Sequence, residues 1–375
     1  MDKYKQKIGI FGGSFDPVHY GHLILAEQMM ETAGLDKVIF IPAYVNPFKT
    51  AAKPTEGIHR YEMLKAAVCD EPRFEVSDIE IKNSSPSYTS ETLKALQKQY
   101  GPETKLYFIM GSDAMLKLDH WHDADYLLKE ISFLVGLRKG YDAREAYKKQ
   151  EELVKHCGAD LELIEIPELE ISSSDLRLRL QAGRSLKYII PDDVLSYIEN
   201  NGLYKGLLKE LERFAREKEN DHRFRHTQGV VKAAKAYAKR YGADPFKAEV
   251  AAWFHDTYKE AGPLEHGPKA AEEIQKQFGI SDPDIINAIY YHTINRAHMS
   301  KLELVVKMAD LLEENRDYKD VEELRAAMSD DLYESMLLLL TEERKILISR
   351  GGDYDHHIDE AVAWLQEIHE RKTNG

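Results

Sequence analysis

Two sets of residues in this 375-residue chain have the types and spacing for phosphate chemistry. The first lies in Gly12-Gly13-Ser14-Phe15-Asp16-Pro17-Val18-His19-Tyr20-Gly21-His22. Backbone amides of a glycine turn approach phosphate closely, and the N-terminus of a following helix favours negative charge. His19 and His22, three residues apart at that helix entrance, can face one anion. Attack by a phosphate oxygen on the α-phosphorus of a nucleoside triphosphate needs alignment and charge stabilisation more than a base, because the nucleophile is already an anion. A single histidine beside a turn is most simply a partly exposed cap; the pair is what points to chemistry. Far along the chain, Ser172-Ser173-Ser174 followed by Arg177 offers hydroxyls at a helix start and a guanidinium one turn on, a phosphate-binding combination that alone would be only a helix cap.

The second set is His226, His255-Asp256, His266, His292 and Asp310. His255-Asp256 ends the apolar run VAAWF, where a buried charge needs a reason. Neutral imidazoles and carboxylates drawn from several helices suit a first-row metal such as iron or manganese. Each of these residues taken singly reads as structural, whereas six in the order H…HD…H…H…D read as a metal site.

The elements that must position these groups follow from periodicity. KIGIFGGSF (7–15) is an apolar strand running into two glycines, and 22–33 then carries helical spacing. Further strands are expected at 37–42, 106–110, 131–137 and 161–166, separated by helical stretches such as YEMLKAAV and SETLKALQKQY. Strands alternating with helices predict a doubly wound parallel α/β sheet. After NGLYKG (201–206) the pattern becomes helical throughout, with stretches at 207–219, 228–241, 246–258, 268–278, 282–292, 301–316 and 320–349. Two domains are therefore expected, 1–205 and 206–375. The apolar tail segments LYESMLLLLTEERKILISRGG and DEAVAWLQEIHE are expected to close the second domain's own core, with a homo-oligomer face as the other use.

Hydrophobic residues at 43% and charged residues at 31% are the mix of a globular protein, and no apolar run reaches the roughly 20 residues of a membrane span. The first residues carry no signal-peptide pattern, and Cys69 and Cys157 are too few for a disulfide framework, so a cytoplasmic location is expected. The formal charge of −14 is spread as 26 basic against 32 acidic side chains over 1–205 and 25 against 33 beyond. Neither half has the basic excess that attracts nucleic acid, and a polyanion must be held by a few placed donors.

His19-Tyr20-Gly21-His22 resembles the (H/T)xGH signature of the nucleotidylyltransferase superfamily, and Ile171-Ser172-Ser173-Ser174-Asp175-Leu176-Arg177 its ISSTxxR-type element. Over about residues 7–205 the chain resembles bacterial nicotinate-nucleotide adenylyltransferases. Pro86-Ser87-Tyr88-Thr89 is similar to their PSYT element, Gly111-Ser112-Asp113 to their GxD turn, and Trp121 falls where an aromatic stacks on the nicotinate ring. The resemblance implies a Rossmann-like fold joining nicotinate mononucleotide to the AMP part of ATP, giving deamido-NAD and pyrophosphate. It implies catalytic roles for His19, His22, Lys49 and Arg177. ATP would be held by Gly12, Gly13, Ser14, Phe15, His19, His22, Gly111, Asp113, Ser172, Ser173, Ser174 and Arg177, and nicotinate mononucleotide by Asp16, Lys49, Ser87, Tyr88, Thr89 and Trp121. Mg²⁺ would accompany ATP, held mainly by substrate phosphates. The chain reads Asn46-Pro47-Phe48-Lys49 where the family commonly has PPHK, so Phe48 supplies no hydrogen bond there. A pantetheine-phosphate adenylyltransferase would share His19, His22 and the serines, but the PSYT run and Trp121 argue against it.

The later order resembles the HD-domain phosphohydrolases, and over roughly 210–320 the bacterial enzymes that cleave diadenosine tetraphosphate symmetrically to two ADP. His255-Asp256-Thr257-Tyr258-Lys259 matches HDxxK, His266-Gly267 matches HG, His292-Thr293 matches HT, and Asp310 to Arg316 matches AD…R. By that resemblance His226, His255, Asp256 and Asp310 hold one metal, and His266 and His292 with bridging Asp256 hold a second, with Asp256 and Lys259 in catalysis. Two adjacent metals polarise a phosphoryl group and bind the attacking hydroxide, while Lys259 and Arg316 neutralise remaining phosphates of a dinucleoside polyphosphate. Asn295 replaces an expected glycine, which exposes substrate length to change. A nucleotidase of other specificity and a non-catalytic nucleotide-binding module are the competing readings.

Overall fold

Apolar residues on both faces of KIGIF suit a strand covered by helices on each side, and it forms β1 (Gln6–Gly13) at the centre of a six-stranded sheet. The computed structural model describes residues 4–44, 54–83, 88–138, 143–167, 169, 171–349 and 356–373; Phe48, Lys49 and Ser87 lie outside them. Around β1 are β2 (Lys37–Pro42), β3 (Phe74–Val76), β4 (Thr104–Gly111), β5 (Ser132–Arg138) and β6 (Asp160–Ile166), in the order β3-β2-β1-β4-β5-β6. Every pairing is parallel. The alternation along each strand feeds two cores, Val38 and Phe40 packing on one face and Ile39 and Ile41 on the other.

The chain reverses its direction of winding between β1 and β4, and a doubly wound sheet opens a crevice at the carboxyl ends of those strands. Gly12 and Gly13 end β1 and Gly111 ends β4. A Cβ on Gly13 would lie 2.9 Å from the Phe15 ring, which folds back under the turn with Phe15 itself at φ 48°. Glycine is required there by that close approach. β3 was not foreseen, because three residues fall below any readable period.

The contacts of the chain divide into two compact units, Met1–Lys205 and Gly206–Gly375. The second contains helices Leu207–Lys218, Asp221–Tyr241, Pro245–Phe254, His266–Phe278, Pro283–Tyr290, Lys301–Leu312, Val321–Ala326, Leu332–Ser349 and His357–Thr373. Three expected boundaries move for local reasons. Asn220 accepts a hydrogen bond from the Arg223 amide and starts its helix seven residues before 228, so His226 is helical. The stretch expected at 246–258 leaves helix after Phe254 and that at 301–316 after Leu312, which puts Asp256 and Arg316 on turns. Asp331 caps a new helix by accepting from the amides of Tyr333 and Glu334, splitting the stretch expected at 320–349 in two. Met336, Leu339, Leu340, Ile358, Ala361 and Leu365 of the tail helices are buried within the unit. Among the described residues no helix is long and apolar enough to cross a membrane.

Candidate functional site

In the first unit a cavity of about 190 Å³ opens at the ends of β1 and β4, and Gly12, Gly13, Gly111, Tyr88, Thr89 and Trp121 all line it. Trp121 stands edge-on to Phe108, ring centroids 5.9 Å apart. Thr89 opens the helix Thr89–Tyr100, whose N-terminal dipole favours an anion at this wall. Sequence reasoning missed two liners, Glu80 and His122. Glu80 accepts the Thr92 hydroxyl at 2.8 Å, and His122 lies 4.3 Å from the Tyr88 ring; adjacency to Trp121 was the only signal for His122.

His19 and His22 stack with centroids 3.7 Å apart, His19 at the N-cap and His22 on the first turn of the helix Tyr20–Ala33. The His19 amide donates to His22 Nδ1 at 3.3 Å. That nitrogen is thus an acceptor, and in the neutral ring the proton lies on Nε2. The serine element folds onto the same turn. Ser173 Oγ donates to the Pro17 carbonyl at 2.9 Å, and Arg177 donates to the Asp16 carbonyl at 2.7 Å and to Ser174 Oγ at 3.3 Å. Ser172 caps its own helix, accepting from the Asp175 amide. Ser14 is half-buried beside these groups, and Asp113 is exposed on the short helix Ser112–Met115 that follows β4.

Asp16 is 6% exposed, and its carboxylate accepts from Tyr204 Oη at 2.7 Å and the Thr55 amide at 3.2 Å. Burial and the Asp16 charge push the Tyr204 phenol far up, so it stays a donor. Asp16 thus ties the turn to the end of the unit. Beside it, Arg60 is 1% exposed and donates to the carbonyls of Thr55, Ser14 and Tyr44 at 2.8, 2.9 and 3.3 Å. Nothing in the pattern RYEMLK marked it as buried. Arg60→Met should lower the stability of the first unit by about 3 kcal/mol, because three carbonyls lose their donor, read as the thermal unfolding of that unit. A loss under about 0.5 kcal/mol would mean that water replaces the guanidinium.

In the second unit the six expected ligands come together as two groups, His226, His255 and Asp310, and Asp256, His266 and His292, all buried. Asp256 Oδ1 lies 3.2 Å from His266 Nε2, 3.4 Å from His292 Nε2 and 3.9 Å from His255 Nε2. Asp310 Oδ1 lies 3.0 Å from His226 Nε2 and 4.0 Å from His255 Nε2. Nδ1 of His255, His266 and His292 is held at 2.7, 2.8 and 2.7 Å by the carbonyls of Ala252, Gly262 and Ile289. A carbonyl only accepts, so these rings are protonated at Nδ1 and turn an Nε2 lone pair inward.

Two features of this geometry fit a cation. His255 Nε2 is fully buried and has no hydrogen-bond partner among the described residues, and burial pushes that imidazole down to about 3, so it stays neutral. His266 Nε2 and His292 Nε2 face each other at 3.0 Å, where two lone pairs repel unless a positive charge is shared. Burial opposes ionisation of Asp310, but the His226 hydrogen bond and the Arg316 charge hold its carboxyl well below the usual range. Lys259 donates to Asp256 at 2.8 Å and approaches His266 Nε2 at 3.4 Å. Arg316 binds the Asp310 carboxylate and donates to its backbone carbonyl at 2.7 Å. Both cations sit on the ligand carboxylates themselves. Arg296, next to Asn295, makes a two-pronged pair with buried Glu303 and covers the Tyr291 ring.

Comparison with known proteins agrees with this division. A cytidylyltransferase-like family model matches residues 10–179 and an HD domain model residues 223–315. A probable nicotinate-nucleotide adenylyltransferase of a Thermoanaerobacter species is 43% identical over 199 residues, covering 53% of this chain and 94% of the relative. The nicotinate-nucleotide adenylyltransferase of Bacillus subtilis is 38% identical over 201 residues, covering 54% of this chain and all of the relative. A solved structure from Clostridium acetobutylicum, described as a predicted HD superfamily hydrolase involved in NAD metabolism, is 28% identical with a TM-score of 0.40, covering 42% of this chain and 96% of that one. The chain therefore belongs, through its first half, to the nicotinate-nucleotide adenylyltransferase family, with an HD domain fused behind it.

Proposed function

We propose that the first unit transfers the adenylyl group of ATP to nicotinate mononucleotide. A phosphate oxygen of the mononucleotide attacks the α-phosphorus, the bond to the β-phosphate oxygen breaks, and pyrophosphate leaves with that electron pair. The observation that carries this reading is the stacked His19–His22 pair on the helix that follows Gly12-Gly13, beside a cavity at the sheet's switch point. With Nδ1 occupied, His22 presents Nε2–H as a donor to charge developing on the α-phosphate. The serines and Arg177 steady the departing pyrophosphate, with Mg²⁺ riding on the substrate phosphates. Trp121 stacks on the electron-poor ring, and the helix start at Tyr88 and Thr89 receives its carboxylate. Ser87 and Lys49, which the family resemblance assigns to that subsite, lie outside the described residues. Chromatography of products from ATP with nicotinate mononucleotide, nicotinamide mononucleotide or phosphopantetheine tests the assignment. Deamido-NAD should dominate, and dephospho-coenzyme A as the main product would overturn it.

For the second unit we infer metal-dependent hydrolysis of a dinucleoside polyphosphate, diadenosine tetraphosphate to two ADP. Support comes from the inward lone pairs of His255, His266 and His292 beside Asp256 and Asp310. Two first-row ions, iron or manganese, would be held by those groups with Asp256 shared, and when bound they supply Lewis acidity and a hydroxide nucleophile. Lys259 and Arg316, which lie on those carboxylates, would be the cations available to the remaining phosphates. Chelation should abolish hydrolysis in the full chain and spare dinucleotide synthesis once Mg²⁺ is restored. Less than one first-row ion per chain after gentle purification would favour a non-catalytic module instead, and release of mononucleotides alone would favour a nucleotidase.

A further inference from the structure

We propose that Glu313 is a positioning residue that makes His226, His255 and Asp310 the tighter of the two metal-binding groups, a proposal that rests on the metal reading above. Among the four imidazoles, His226 alone has a carboxylate behind it. Its Nδ1 lies 2.9 Å from Glu313 Oε1, where the other three meet backbone carbonyls. Glu313 follows the helix Lys301–Leu312 as its C-cap and is 1% exposed. Its second oxygen accepts from the Asn315 amide at 2.7 Å and from Asn315 Nδ2 at 2.8 Å, so the carboxylate cannot rotate away. Burying a carboxylate is costly without a partner charge. His226 provides one when its Nε2 shares a cation with Asp310.

A carboxylate accepting the Nδ1 proton makes an imidazole a stronger donor at Nε2 and locks the ring's orientation; loss of such a partner typically weakens metal binding about 10- to 100-fold. A carbonyl orients the ring without adding charge. The two ligand groups therefore differ in strength beyond any difference in the number of atoms each offers.

Gly229 supports the same assignment from the opposite side. It lies inside the helix Asp221–Tyr241, one turn beyond His226, where glycine weakens a helix. A Cβ there would fall 2.0 Å from Glu313 Oε2 and 2.8 Å from Asn315 Nδ2. The helix gives up its side chain at the one place where Glu313 must come in to reach His226.

Calorimetric titration of the metal-free full chain with Mn²⁺ tests this, using wild type, Glu313→Gln and Gly229→Ala. Wild type should show two binding events. Glu313→Gln should weaken the tighter event about 10- to 100-fold and leave the weaker one unchanged. Gly229→Ala should do the same, and because alanine favours the helix it separates loss of the carboxylate contact from loss of fold. Equal weakening of both events, or of neither, in a folded variant would overturn the role of Glu313. Absence of binding in wild type would overturn the metal reading itself, and the role of Glu313 with it.

Discussion

Replacing His22 by alanine is expected to lower the turnover of dinucleotide synthesis about 10³-fold, the size seen when one preorganised donor to transition-state charge is removed, while hydrolysis by the second unit stays at its wild-type rate. The reason is geometric. The His19 amide donates to His22 Nδ1, which puts the ring proton on Nε2 as the donor this reading uses, and His19 stacked at 3.7 Å restricts the ring. An alanine supplies neither the donor nor the cap. The lost cap costs about 1 kcal/mol of helix stability, too little to unfold the unit. The variant should therefore melt close to wild type and bind both substrates with KM changed far less than kcat. Steady-state kinetics on the full chain decides it: a loss under about tenfold would place the donor elsewhere and leave the His pair as a helix cap.

Asp256→Ala should have the converse effect. Hydrolysis should fall by more than about 100-fold, since changes one shell further out already cost 10- to 100-fold, and metal content should fall with it. Asp256 Oδ1 is the point on which Lys259, His266 and His292 converge within 3.4 Å. Its removal leaves the Lys259 ammonium, a third exposed, without its nearest counter-charge, a loss of about 1–3 kcal/mol. Asp256→Asn keeps the shape and part of the hydrogen bonding, so it separates the two consequences: it should lose metal and hydrolysis while folding better than the alanine variant. Elemental analysis beside product chromatography reads both. Retained metal with lost hydrolysis would mean that Asp256 acts on substrate and not as a ligand. Dinucleotide synthesis should be unaffected by either change.

How far the sequence carries depends on the separation of the residues involved. Gly12, Gly13, His19 and His22 belong to one strand, one turn and one helix, so their spacing alone brings them together, and the strands on either side follow from period and length. The six residues that gather in the second unit were legible as metal-ligand candidates because buried histidine and aspartate in apolar helical surroundings need a partner charge. Their division into two groups was legible only through family resemblance.

Other features needed the folded chain. Arg60 sits in an ordinary polar run and becomes a fully buried brace only because the segments at Ser14, Tyr44 and Thr55 converge on it. The Asp16 carboxylate receives Tyr204 from 188 residues away. Lys259 and Arg316, expected to face phosphate, lie on the carboxylates, because turns after Phe254 and Leu312 aim them back.

By itself the sequence determined the doubly wound sheet followed by helices, the glycine turn with its paired histidines, and which side chains could hold a metal. All of these rest on local period or on side-chain chemistry. Only the tertiary structure decided which nitrogen of each imidazole points inward, which carboxylate stands behind His226, and why Gly229 carries no side chain. Those outcomes depend on contacts such as that between His226 and Glu313, 87 residues apart, and helix packing, not spacing along the chain, sets whether such distant groups meet.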